Sequence, residues 1–199
     1  MGTHSIILLR ERSTKRKETS FLGGPDESKY SYEYYVCIYQ QYDGYVEGGV
    51  GEWLADFLQK FTQDLSTLTT FADAGLLGAK LIKAFYSSPF SNPRLEPIAP
   101  LEDIFQIDYD YVYIITVTYS SRHGMDDKSI MLSVCHYKDF ILTARPEKLL
   151  EKYKYYVTQM EENKKSFAEI SYDDEEVEKN GYLSEDQLLL EFIKKTAFD

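Results

Sequence analysis

The chain has 199 residues, 43% of them apolar and 15% aromatic, with 18 Tyr beside a single Trp. That is enough apolar material for one folded domain and excludes a disordered chain. With 22 basic against 33 acidic side chains the net charge is -11, which excludes a general affinity for phosphate backbones or anionic lipid.

Residues 5–9 form a short apolar run and residues 34–42 a Tyr, Val and Ile-rich one; both predict strands, paired as a hairpin. Between them, residues 10–33 are rich in Lys, Arg, Ser and Thr around Gly23-Gly24-Pro25-Asp26, the chemistry of a long mobile loop inserted in the domain. Its Lys15-Arg16-Lys17 run reads as a solvated loop. Asp43-Gly44 then supplies a tight turn, and Gly48, Gly49 and Gly51 precede a helix whose Trp53, Leu54, Phe57, Leu58, Phe61 and Leu65 recur at helical spacing. A second helix spans residues 75–86, with Leu77, Leu81 and Phe85 on one face and Gly75 and Gly78 permitting close approach. Pro89, Pro93, Pro97 and Pro100 predict an extended connector over residues 87–102.

Residues 109–119 and 129–137 are the clearest strands and are expected at the sheet centre, with a further short strand at 140–144. Pro146 opens a helix carrying Leu149, Leu150, Tyr153, Tyr156, Val157 and Met160. Paired strands with helices between them predict an α+β fold, an antiparallel or mixed sheet of about four to five strands packed by helices. The expected core domain covers residues 1–150. From residue 151 onward lie 13 acidic and seven basic side chains, an acidic helical extension of net charge -6. Ser184 and Gln187 fit a capping box there, leaving Leu188, Leu189 and Phe192 as an apolar face for docking or for a partner.

Chemistry-bearing motifs are sparse. Glu176, Glu178, Asn180 and Gly181 fall at positions 1, 3, 5 and 6 of an EF-hand loop, but neutral Gln187 stands where the bidentate Glu is needed, so no metal is assigned. His4, His123 and His136 lack metal-ligand spacing, and Cys37 and Cys135 lack CxxC spacing, so reduced, buried thiols are expected. Cys135 and His136 are strand neighbours and point to opposite faces, whereas a Cys37–His4 dyad stays geometrically open if the first two strands pair. The glycine-rich turn lacks the Lys of a P-loop and sits between Glu47 and Glu52, which repel phosphate. No catalytic residue and no cofactor follow.

The start Met1-Gly2-Thr3-His4-Ser5, the segment Tyr39-Gln40-Gln41-Tyr42-Asp43-Gly44-Tyr45, Glu47-Gly48 and Leu54-Ala55-Asp56-Phe57-Leu58 resemble a family of small proteins of bacteria, phages and large DNA viruses. Its members begin MGTRS and carry YRQYDGYPxGxGxxLAxFL. Residues 74–85 are similar to that family's GxLAAxLIAxFK helix, and Asp110-Tyr111-Val112-Tyr113-Ile114 to its next strand. The resemblance covers residues 1–140 and implies an architecture without an assigned activity. His4 and Gln40 stand where the family has Arg, and Val46 where it has Pro.

Thr3, Gln41, Asp43, Tyr45 and Glu47 can converge where the first strand meets the turn, as a small ligand-binding cluster. Alternatively Asp43 and Gly44 only make the turn while Tyr45 and Trp53 cover the core. Two functions follow. The first is a cytosolic, non-enzymatic accessory domain, of viral or phage kind by the resemblance, that binds a protein partner or itself. The second is a small-molecule-binding or hydrolytic domain using that cluster, with Asp43 and Glu47 as the candidate acid–base pair. Neither a membrane segment nor a secretory signal is expected, since no run of about 18 apolar residues occurs.

Overall fold

The computed structural model describes residues 2–14, 30–67, 73–90, 93–99, 101–122 and 125–170. Strands β1 (Ser5–Thr14) and β2 (Tyr30–Gln40) pair antiparallel, Ile7 opposite Ile38 and Leu9 opposite Val36. Helices α1 (Val50–Thr67) and α2 (Ala74–Tyr86) then carry the chain back, so that β4 (Tyr111–Arg122) lies parallel to β1, with Ile7 beside Tyr113. A parallel neighbour needs such a crossover, because a tight turn can only reverse the chain. β5 (Met125–His136) and β6 (Asp139–Ala144) follow as an antiparallel meander. Strand β3 (Arg94–Leu95) adds at the other edge, giving a mixed sheet of order β3–β2–β1–β4–β5–β6. The fold is α+β.

Strand alternation divides the core into two layers. On one face Ile7, Leu9, Val36, Ile38, Tyr113, Ile115 and Val134 meet Leu54, Leu58 and Phe61 of α1 and Leu77, Leu81 and Phe85 of α2. Trp53 stands edge-on to Phe85 at 4.9 Å and stacks on Phe57 at 5.5 Å. Leu149 closes this layer from the start of α4 (Leu149–Ile170), which follows the 3-10 turn Pro146–Lys148, and Leu150 and Tyr153 pack on its border. On the other face Ile6, Leu8, Cys37, Val112, Ile114 and Cys135 are covered by Leu101 and Ile104 of the short helix α3 (Leu101–Ile104) and by Phe105. Among the described residues no helix is long and apolar enough to cross a membrane.

Several expectations need correction. The loop expected over residues 10–33 is strand at both ends, because β1 continues to Thr14 and β2 starts at Tyr30. Polar residues hold these arms together: Arg10 lies over the Tyr32 ring and Arg12 over the Tyr30 ring, so cation–aromatic pairs replace the apolar alternation that marks a strand. Residues 15–29 lie outside the described residues. The connector over residues 87–102 contains β3 and leads into α3, and the sheet centre is the β1–β4 pair, with β5 one place outward. α4 runs continuously across the expected boundary at residue 150 to Ile170; the acidic stretch beyond it, with Leu188, Leu189, Phe192 and the EF-hand-like positions, lies outside the described residues.

Gly78 is where α2 comes closest to the sheet: a Cβ there would stand 2.8 Å from a Val36 methyl and 3.3 Å from a Leu9 methyl. Both neighbours are buried and cannot withdraw. Gly78→Ala should therefore lower stability by about 1 kcal/mol or more in urea unfolding, even though alanine favours a helix by a similar amount.

Candidate functional site

The turn between β2 and α1 is tied to the body through one buried phenol. Tyr113, fully buried in β4, donates its hydroxyl to the Gly44 carbonyl at 2.7 Å and lies against Gly51, whose N–H bonds the Tyr45 carbonyl at 3.2 Å. Gly44 N–H bonds the Thr3 carbonyl at 3.0 Å, and a Cβ at Gly44 would lie 2.8 Å from that oxygen. A Cβ at Gly51 would lie 2.9 Å from the Tyr113 hydroxyl. Both positions thus require glycine for closeness of approach. Val46, where the resembling family has Pro, is fully buried in the main core layer. The Glu52 carboxylate accepts the Gly48 N–H at 2.6 Å, capping the start of α1.

The expected cluster forms only in part. Asp43 adopts φ 59° in the turn and its carbonyl accepts the Val50 N–H at 2.9 Å. Its carboxylate accepts the Tyr45 hydroxyl at 3.1 Å, a bond that raises the Tyr45 phenol above its ordinary value. Thr3 joins through its backbone carbonyl, and half-buried Gln41 lies in the same turn. Glu47 points elsewhere, to Lys154 of α4 at 3.2 Å, so the two carboxylates have separate partners. Trp53 packs into the core as expected, but Tyr45 does not: it is 39% exposed, held out by its bond to Asp43.

A second constellation stands beside the first. Thr3 carries the Asp43–Gly44 turn, and the next residue, His4, accepts the Tyr111 N–H on its carbonyl at 3.1 Å. The Asp110 carboxylate accepts the His4 backbone N–H at 2.6 Å, faces His4 Nδ1 at 3.4 Å and accepts the Tyr137 hydroxyl. Burial opposes ionisation of Asp110, but these donors and the two nearby imidazoles outweigh it and hold the carboxyl below its ordinary value. The His136 ring lies 4.5 Å from Tyr111 and 4.4 Å from Tyr137, and burial lowers its basicity, with Asp110 and Asp139 partly offsetting this. Tyr137 and Lys138 form the β5–β6 turn with φ of 47° and 76°, where Asn and Gly are the usual residues. Aromatic residues seldom adopt such angles, and here the conformation places the Tyr137 hydroxyl on Asp110. An imidazole faced through Nδ1 by a carboxylate has Nε2 on its opposite edge, the orientation a general base needs.

Neither Asp110 nor Tyr137 stood out in the sequence, since no motif links residues more than 100 positions apart. The register excludes the Cys37–His4 dyad: Cys37 lies opposite Leu8, four residues along the strand from His4. Burial pushes the Cys37 thiol up to about 11 and Cys135 up to about 12, so neither is poised as a nucleophile. Cys135 faces the α3 layer while His136 stacks on Tyr111 of the other layer, so that pair is indeed divided by the sheet. Among the described residues no group of three metal-ligating side chains forms. Comparison of the chain with protein-family models, with curated proteins and with solved structures found no match. The resemblance noted above therefore rests on its motifs alone.

Two outcomes follow. Tyr113→Phe leaves the buried Gly44 carbonyl without its donor and should cost about 1–3 kcal/mol in denaturant unfolding. The pH dependence has a defined sign. His136 binds its proton less readily folded than unfolded, so stability should fall as pH drops below 6.5 towards the lower folded value. The Asp110 contribution is present above 3.8 and is lost as pH falls through its depressed folded value. Carboxyl NMR titration should find Asp110 below the ordinary range, and nearer to it in Tyr137→Phe.

Proposed function

We propose that the chain is a cytosolic accessory domain that works by binding another protein or a second copy of itself, and not by catalysis. The observation that carries this reading is the β3 edge of the sheet. β3 pairs with β2 only at Ile38–Leu95 and Tyr39–Arg94, so along Glu33–Val36 no strand lies on that side among the described residues. An edge of this kind accepts an added strand. Beside it Leu95 and Ile98 are 53% and 50% exposed, apolar surface that a partner would cover. The extra residue Tyr35 in β2 and the charge of Glu33 disfavour indiscriminate pairing, so the edge calls for a matched partner. Leu188, Leu189 and Phe192 are proposed as a second contact on their sequence pattern, and the bacterial, phage or viral setting on the resemblance.

A second reading, a small-molecule-binding or hydrolytic site, is favoured by one observation. Asp43 and Tyr137, both non-glycine residues at positive φ, each place a side-chain hydrogen bond beside the first residues of β1. On this reading Thr3, Gln41, Asp43, Tyr45 and Glu47 bind the ligand, with His4 and Asp110 adjoining them.

Native mass spectrometry of the full chain purified gently from its own cells separates the two. Interaction through the edge predicts a stoichiometric protein partner or homo-oligomer, depleted about tenfold by Leu95→Lys, a charge on an exposed edge position, and retained in Asp43→Ala. A small bound mass lost in Asp43→Ala and indifferent to Leu95→Lys would replace the interaction reading with the ligand one.

A further inference from the structure

The second face of the sheet is covered by α3 only around Ile6, Leu8, Val112 and Ile114. Farther along the same strands that face turns polar. Arg10 and Arg12 of β1 share it with Thr116 and Thr118 of β4 and with Tyr30 and Tyr32 of β2. Arg10 Nε donates to Thr116 Oγ1 at 3.0 Å, and Arg12 Nε to Thr118 Oγ1 at 3.2 Å. The guanidinium carbons lie 4.1 Å from the Tyr32 ring centre and 4.8 Å from that of Tyr30. Each guanidinium is thus fixed at Nε and against one ring, which leaves the terminal nitrogens of the fork as the donors for an anion.

No counter-charge stands beside them among the described residues. Arg10 is only 4% exposed, and buried cations are ordinarily matched by carboxylates. Among the described residues no carboxylate comes within ion-pair distance of either arginine. The acids of the same two strands, Glu11 and Glu33, sit opposite one another on the other face, where the Tyr35 hydroxyl donates to Glu11 at 3.3 Å. Alternation sends the two signs to opposite sides, so these strands cannot neutralise their own arginines.

We propose that this basic half-face binds an extended acidic peptide whose alternate carboxylates seat on Arg10 and Arg12. The proposal rests on the interaction reading and names a partner chemistry for it, at a surface distinct from the β3 edge. The spacing carries the choice. Alternate residues of a strand repeat at about 6.6–6.8 Å, so an extended peptide presents carboxylates at i and i+2 with the same repeat as Arg10 and Arg12. Single-stranded nucleic acid fits less well. Its bases need open aromatic faces, whereas one face of both Tyr30 and Tyr32 already carries a guanidinium, and the net charge of -11 opposes a polyphosphate.

The test is calorimetric titration of the full chain, at about 50 mM salt to limit screening, with a short peptide of alternating Glu and Ser. A control peptide carries the same number of Glu at every third position, and an oligothymidylate of matching length is the third probe. The alternating peptide should bind about tenfold more tightly than the control, and Arg12→Gln should weaken it about tenfold, with Arg12→Lys recovering part. Arg12 is half-buried and bears the test; Arg10→Gln is read only if its unfolding midpoint matches the parent. Equal binding of the two peptides, an affinity unchanged by Arg12→Gln, or tighter binding of oligothymidylate would overturn the proposal. So would a tenfold gain on neutralising Asp173, Asp174, Glu175 and Glu176 together, which would make the chain's own acidic stretch the occupant. Failure here with a partner still seen in native mass spectrometry would leave the edge reading standing.

Discussion

The hydroxyl of Tyr113 is the point on which the turn between β2 and α1 depends. A phenol with no solvent access must find its partner in the protein, and this one donates to the Gly44 carbonyl while packing against Gly51. Those two contacts bracket the whole turn between β2 and α1. Its other anchors follow: Gly44 N–H on Thr3, Val50 N–H on Asp43, Glu52 on Gly48. Asp43, Tyr45 and Glu47 hang from that frame and reach outward, so their positions are set by a residue of a different strand nearly 70 places along the chain.

The same strands do unlike work on their two faces. Towards α1, α2 and α4 they present a continuous apolar layer, and the stability of the domain resides there. Towards α3 the apolar patch is shorter, and beyond it the face is built from arginine, tyrosine and threonine. β1 and β2 therefore segregate charge, with Arg10 and Arg12 on one side and Glu11 and Glu33 on the other. One face thereby anchors the fold while the other gathers the basic side chains of β1. The strain in the β5–β6 turn points to a second demand, made at the opposite end of the strands, that Tyr137 be held on Asp110.

The strands centred on Leu8, Val36, Ile114 and Val134 were legible because burial on both faces makes a continuous apolar run, and the helices carrying Leu54 and Leu81 because burial on one face imposes a helical period. So was the Asp43–Gly44 turn, whose backbone angles suit few residues. The arms of β1 and β2 were not legible, since Arg10 and Arg12 are held by tyrosine rings and threonine hydroxyls that no periodicity announces. The two-residue turn at Tyr137-Lys138 also carries none of the usual Asn-Gly chemistry.

By itself, then, the sequence determined the class of fold, the main elements, the turn before α1 and the burial of both cysteines, all properties set by local periodicity, backbone preference and hydrophobicity. Only the tertiary structure decided which strands are neighbours, that Glu47 leaves Asp43 for Lys154, that Cys37 faces Leu8 and not His4, and that His4, Asp110 and Tyr137 meet. Those outcomes depend on register and on the parallel crossover between β1 and β4, where a single residue of slip would send every side chain to the other face. Such long-range choices are made by the summed packing of two core layers, and no local stretch of chain contains them.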